Sequence, residues 1–136
     1  MAKFVLTDAD VNINAVDLSD HVESLTINYG AETPEQTAMS DITRRRLPGL
    51  IDWTVDVTFR SDFAAANVDA TLFPLVGAAA VTLIIKPTSA AVSATNPTFT
   101  GQVLVGTYNP LAGTVGDTSN STVVLTGDGT LVRAEV

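Results

Sequence analysis

Ile51-Asp52-Trp53-Thr54-Val55-Asp56-Val57-Thr58-Phe59-Arg60 alternates without a break, apolar at every odd position and polar or charged at every even one. Successive side chains of a strand point to opposite faces, so the stretch specifies a half-buried strand with one dry and one wet face. Weaker copies flank it. Residues 22–29 set Leu25, Ile27 and Tyr29 against Ser24, Thr26 and Asn28, and residues 10–16 place Val11 and Ile13 between Asn12 and Asn14. Residues 80–86, 101–108, 121–126 and 130–135 are rich in Val, Leu, Ile and Thr and also read as strands.

Turn formers separate these runs: Pro87, Asn96-Pro97, Asn109-Pro110, Gly113 to Asp117, and Gly127-Asp128-Gly129. The spacing predicts an all-β chain, a sandwich or barrel of about seven to eight antiparallel strands. One segment has a helical period instead. Val68, Leu72, Leu75 and Val76 recur at that spacing after Asn67, a cap former, and before Gly77. Pro74 lacks an amide donor, so the regular part is expected at about 68–73.

Residues 30–49 follow neither period. They contain Gly30, Pro34, the triplet Arg44, Arg45 and Arg46, Pro48 and Gly49, and only Met39, Ile42 and Leu47 could serve a core. A connection of this length without structure of its own is uncommon in a compact domain. The sequence predicts a segment mobile in the isolated chain and ordered by a neighbouring copy; the alternative is an ordinary long hairpin loop.

The 136 residues fit one domain, 1–136, with no repeat at a fixed period. Net charge is -8, and DNA-gripping proteins need clustered Lys and Arg to displace counterions, so that class is disfavoured. Charge is also uneven. Residues 1–41 hold eight acids and one base, Lys3, whereas residues 87–116 hold no charged side chain. Only 16% of residues are charged, against about 25% for an average soluble chain, which leaves a neutral surface suited to subunit contacts. Cysteine is absent, which removes disulfides and thiolate metal sites. The first residues, Met1 to Asp8, carry no apolar run of signal-peptide length, and the longest apolar run, Leu72 to Leu83, is broken by Pro74, Gly77 and Thr82. The expectation is a chain that stays in the cytoplasm where it is made, away from membranes.

No constellation of catalytic side chains emerges. His21 is the only histidine, and in Ser19-Asp20-His21 neighbouring side chains diverge, so an exposed turn histidine is the better reading than a triad. Zinc would need further ligands. Asp8, Asp10, Asn12 and Asn14 begin like a calcium loop, but Ile13 stands where its glycine belongs and Ser19 where its glutamate belongs, which favours polar residues on a strand face. Asp52 and Asp56 share a face about 13 Å apart, too far for an acid/base pair on one substrate. Gly127-Asp128-Gly129 lacks the Lys-Ser/Thr of a phosphate loop. Arg44 to Arg46 could bind phosphate or the acidic surface of another copy, and the net charge favours the copy. No cofactor is implied.

Taken in order, Val11-Asn12-Ile13-Asn14-Ala15-Val16-Asp17-Leu18-Ser19-Asp20-His21-Val22, a strand through Tyr29, the arginine-bearing loop, Gly49-Leu50-Ile51-Asp52-Trp53, Asp69-Ala70-Thr71-Leu72-Phe73-Pro74-Leu75 and a closing Gly116-Asp117 hairpin resemble the short tail tube proteins of siphophages. The resemblance spans nearly the whole chain. It implies a β domain with one flanking helix, forming six-membered rings stacked into the tube through which DNA leaves the virion. Subunit contacts would fall on the long loop, at Thr33, Pro34, Met39, Ile42, Arg44, Arg45, Arg46 and Leu47, on the segment before Val11, and on the tail from Arg133 to Val136. An acidic lumen repels phosphates, and Asp52 and Asp56 are the candidates for it. The implied partners are copies of the chain itself and the tape measure, tail terminator and distal tail proteins, with DNA passing unbound. The implied location is the host cytoplasm during assembly, then the virion tail. Two other readings stay open: another virion component (terminator, distal tail or decoration protein), and a carbohydrate-binding sandwich. The latter needs exposed aromatics, whereas Trp53, Tyr29 and Phe59 are expected to look inward, leaving Tyr108 as the aromatic to test.

Overall fold

The structure, a computed structural model, describes residues 3–136. The alternating stretch forms β4 (Ile51–Arg60), with Trp53, Val55, Val57 and Phe59 buried and Asp52 and Asp56 exposed, as its period requires. Around it lie β1 (Asp10–Ile13), β2 (Val16–Asp17), β3 (Val22–Ala31), α1 (Val68–Leu72), β5 (Val81–Lys86), β6 (Thr98–Ala112) and β7 (Asn120–Ala134). The strands make one seven-stranded antiparallel sheet in the order β2-β1-β5-β6-β7-β4-β3. The expected all-β class with one flanking helix is therefore borne out.

The architecture is one continuous sheet that curls back on itself. Ile27 and Tyr29 of β3 line a groove with Phe99 of β6 and with Leu131 and Arg133 of β7, and Leu25 shares another with Ile85 of β5. Both flanks thereby enclose one apolar core: Val11, Ile13, Leu83, Ile85, Val103, Val105, Val123 and Leu125 join the β4 residues, closed by Leu18, Val68 and Leu72. Each such side chain contributes about 1.5–3 kcal/mol on full burial. The outer strands β2 and β3 remain unpaired on one side, so the barrel is open.

Three expectations need correction. First, 10–16 is not one strand. Asn14 and Ala15 adopt φ of 52° and 63° and turn the chain between β1 and β2, a conformation asparagine tolerates well. Of the four alternating polar residues, only Asp10 and Asn12 lie on the strand. Second, Asn109-Pro110 and Gly127-Asp128-Gly129 are not turns between strands. Both interrupt single long strands, where the pairing register shifts and the chain bulges. Third, Asn67 precedes α1 without capping it through its side chain, which instead donates to Asp62 Oδ2 at 2.8 Å. The helix itself runs 68–72 and tightens into a 3₁₀ turn, Phe73–Leu75, at Pro74.

The bulge in β7 exists to receive Trp53. Gly127 pairs with Val103 and lies under the indole, and a Cβ built on Gly101 of β6 would fall 2.6 Å from Trp53 Cζ2. A Cβ on Gly127 would penetrate the ring. At the bulge the carbonyl of Gly129, whose φ is +92°, turns to accept the indole N–H at 3.0 Å. Gly127→Ala is therefore expected to lower unfolding free energy by about 1–3 kcal/mol through overpacking. Gly30→Ala, with open space around its Cβ, should stay within about 0.5 kcal/mol of wild type. Urea unfolding monitored by Trp53 fluorescence measures both.

Candidate functional site

Beyond Ala31 and Ile51 the chain leaves the body as an arm. Its legs stay paired: the Glu32 amide donates to the Leu50 carbonyl (2.8 Å), Gly49 to Glu32 (2.7 Å), Leu47 to Pro34 (2.9 Å) and Gln36 to Arg45 (2.8 Å). A bridge joins Glu35 to Arg46, and Asp41 Oδ2 accepts from the Ala38 amide at the tip (2.9 Å). A Cβ at position 49 would meet Glu32 Cβ at 2.9 Å, so glycine is needed for this approach. The expectation of a segment without its own structure is thus corrected in favour of the long hairpin. Pro34 and Pro48 remove ladder donors and break the alternation, which hid the pairing from a periodicity reading.

The arm has pairing but no core. Thr33, Pro34, Arg44, Arg45 and Arg46 are exposed, Leu47 is 49% exposed, and Met39 and Ile42 reach 97% and 100%. Arg44 Nη1 lies 3.3 Å from Glu35 Oε1. Among the described residues Arg45 and Arg46 form no ion pair. The structure brings eight of the sequence-derived contact residues onto this one projection.

Arg133 is not among them. It lies near the end of β7, where its Nη1 approaches Glu135 Oε1 at 2.6 Å, and it lines the groove of about 370 Å³ formed with Ile27, Tyr29, Phe99 and Leu131. Tyr29 is 55% exposed, which overturns its expected burial. The Leu25-Ile27-Tyr29 alternation gives its face correctly, and Tyr29 pairs with the buried Trp53, but β3 is the outer strand of the sheet and leaves the ring open to solvent. Before Val11, Phe4, Val5 and Leu6 are exposed, and Asp8 Oδ2 accepts from the Ser89 hydroxyl at 2.5 Å. The part of that expected contact segment at Met1 and Ala2 lies outside the described residues.

Asp52 and Asp56 point outward from β4 into a polar sheet face. Thr26 and Val124 flank Asp56 across the strands, and Asn28 Nδ2 donates to Asp56 Oδ2 at 3.1 Å. Thr54, Thr58, Thr122, Thr126 and Asp128 extend the same face. Hydroxyls and carboxylates dominate it.

Side chains with possible chemistry are occupied elsewhere. Ser19 Oγ lies 2.9 Å from Asp10 Oδ1 and 2.5 Å from Asp17 Oδ1, its single proton shared between them, and accepts the Val11 amide at 2.8 Å, so it tethers β1 rather than attacking a substrate. His21 is half-buried, with Nδ1 3.8 Å from Asp62 Oδ2. Lys86 Nζ meets Asp10 Oδ2 at 3.4 Å. No group of three or more His, Cys, Asp or Glu that could hold a metal occurs among the described residues. Tyr108 Oη donates to Asp69 Oδ1 at 3.0 Å and anchors α1 to β6; burial and that carboxylate push its phenol up to about 12.

Neither a family model nor a curated protein matches the sequence. Solved structures do match in fold. A chain of the tail of an empty gene transfer agent particle with C6 symmetry superposes with a TM-score of 0.64 at 14% identity, covering 82% of this chain and 81% of that one. A chain of the sheath-tube complex of an extracellular contractile injection system in the extended state gives 0.73 at 10% identity, with coverage of 98% and 93%. The SPP1 tail tube gives 0.72 at 9% identity, with coverage of 95% and 77%. The chain has the fold found in these tube and tail assemblies.

Three carboxylates hold turns and loops in place, Asp17 and Asp62 within their own segments and Asp8 across to the loop at Ser89. The Ser89 hydroxyl and amide hold Asp8 below the usual carboxylate range, Ser19 does the same for Asp17, and the Ala64 amide, Asn67 and His21 do so for Asp62. A lowered folded-state pKa adds stability that is complete above the unfolded value of about 3.9 and disappears as pH falls through the folded value. Thermal melting between neutral pH and about pH 2 should show that acid loss in wild type. Asp62→Asn and Asp17→Asn should start less stable at neutral pH and lose less on acidification.

Proposed function

We propose that this chain is a non-enzymatic structural subunit, one tail-tube-like β domain over residues 1–136. It assembles with copies of itself into stacked six-membered rings, the tube through which DNA leaves a virion. The observation that carries the reading is the arm: a paired hairpin holding Met39 and Ile42 almost wholly in water, on a body whose fold recurs in the tube and tail assemblies above. Exposed side chains of that size gain about 1.5–3 kcal/mol each when buried, and the arm's own chain offers them no cover. The six-fold ring accords with the C6 symmetry of the gene transfer agent tail. Asp52, Asp56 and Asp128 would face the lumen, where carboxylates repel the DNA backbone.

Tape measure, tail terminator and distal tail proteins are the proposed further partners, and host cytoplasm followed by the virion tail the proposed location. The exposed Tyr29 is the observation that favours a carbohydrate-binding sandwich. The groove on one side of it is lined by the apolar Ile27, Phe99 and Leu131 with Arg133; Asn28 and Asp52 border it on the other side, and Tyr108 is engaged with Asp69. The groove suits a protein surface better.

Electron microscopy of the purified protein should show rings or tubes, and a persistent monomer in light scattering at high concentration, even with tail partners added, would defeat the reading. Deleting residues 32–46 should leave a folded chain that no longer polymerises. Reversing Arg44, Arg45 and Arg46 to Glu should weaken assembly, more visibly at low salt where screening is least.

A further inference from the structure

The curled sheet stays open along its β3 side. There Leu25, Ile27 and Tyr29 face Ile85, Phe99 and Leu131 across a trough whose two halves, about 210 and 370 Å³, share Ile27 and Phe99. Leu25, Ile27, Phe99 and Leu131 pack against the core yet stay partly in water. Beside the trough, the outer edge of β3 leaves backbone donors and acceptors without a strand partner, a condition that folded proteins normally cover.

One segment already reaches into the trough. Leu6 and Ala9 line its smaller half, and the stretch from Leu6 to Ala9 also faces Val22 and Glu23 at the start of β3. Residues 3–9 form no strand, but they lead directly into β1 at Asp10. Five antiparallel pairings, β1 with β5, β5 with β6, β6 with β7, β7 with β4 and β4 with β3, separate β1 from β3, so a chain entering β1 runs opposite to β3. That is the direction an antiparallel addition needs. The side chains alternate to match: Phe4 and Leu6 are 55% and 54% exposed, and Val5 between them 80%. With Leu6 beside Leu25, an extended chain places Phe4 beside Ile27, at the mouth of the larger half. That half is lined mainly by apolar side chains and exceeds the roughly 150 Å³ of cavity that takes a benzene ring.

We propose that residues 4–7 are a strap that adds to the free margin of β3 as an antiparallel strand, seats Phe4 in the groove of Ile27, Tyr29, Phe99 and Leu131, and so closes the barrel within one chain. The root of the strap is already fixed. Asp8 Oδ2 accepts from the Ser89 hydroxyl (2.5 Å) and amide (3.3 Å), and Asp10 Oδ2 meets Lys86 Nζ at 3.4 Å, so only the part before Asp8 has to move. Closure removes two large apolar side chains from water and gives the outer backbone groups of β3 their partners in one step. A strand from a second copy must displace the strap before it can pair with β3, and the segment thus guards the margin against self-association. The inference concerns a single chain and stands without the tube reading.

Hydrogen exchange of the full chain tests closure. Amides of residues 24–29 that do not bond to β4 should keep their protection on dilution, and Phe4→Ser with Leu6→Ser should speed their exchange about ten-fold or more while the β4 amides keep their rates. Equal rates in the variant overturn the strap, and protection that vanishes on dilution overturns it in favour of a second copy on the margin. The absence of cysteine also allows a test of register. Directly opposed residues of an antiparallel pair lie about 4.5–5.5 Å apart at Cα, within disulfide reach. On oxidation, Phe4→Cys with Ile27→Cys should form a disulfide within one chain, and Val5→Cys with Ile27→Cys should not. No bond in either pair, a bond only between chains, or equal yields from both pairs each refutes the pairing.

Discussion

The placement of Trp53 constrains the rest of the sheet. An indole cannot lie within a three-strand crossing unless the neighbouring strands give up their Cβ atoms and open their ladder, and β6 and β7 do both at Gly101 and Gly127. The shift of register that follows swings the end of β7 across the core, carrying Leu131 and Arg133 towards β3. The curl of the sheet, the groove at the arm's base and the bulge in β7 share this origin. An ungapped ladder would leave the sheet flatter and its core open on one side.

Legibility in the sequence followed physical cause. β4 was readable from Asp52 to Arg60 because burial there follows parity; Ile51 has the inward parity but is exposed at the base of the arm. The helix was equally plain, since Val68 and Leu72 bury one stripe and Pro74 ends it. Gly127-Asp128-Gly129 misled because glycine signals a turn in isolation and here answers a tryptophan 74 residues earlier in the chain. No local window contains that partner. The arm was located by its lack of periodicity, yet its pairing was hidden, because backbone hydrogen bonds between two prolines leave no mark on side-chain pattern. Tyr29 had the correct face and the wrong burial, since parity does not report which strand lies at the margin of the sheet.

The chain separates its tasks by region. Charge is concentrated early and on the arm, whereas residues 87–116, which contain all of β6, hold none. A neutral central strand packs and pairs at any ionic strength, so changes in salt act on contacts between copies with little effect on the body. Loop anchorage is handled by isolated carboxylates, Asp8, Asp17 and Asp62, each saturated by hydroxyl or amide donors.

The two free margins of the sheet are unequal. β2 offers two residues, too few to template another strand, and β3 offers ten. A molecule with a blunt margin and a long one can recruit a foreign strand on one side only, which bars the runaway edge-to-edge stacking that equal margins would invite. Strand addition from outside is thus confined to the β3 margin, and the sheet can lengthen in one direction only.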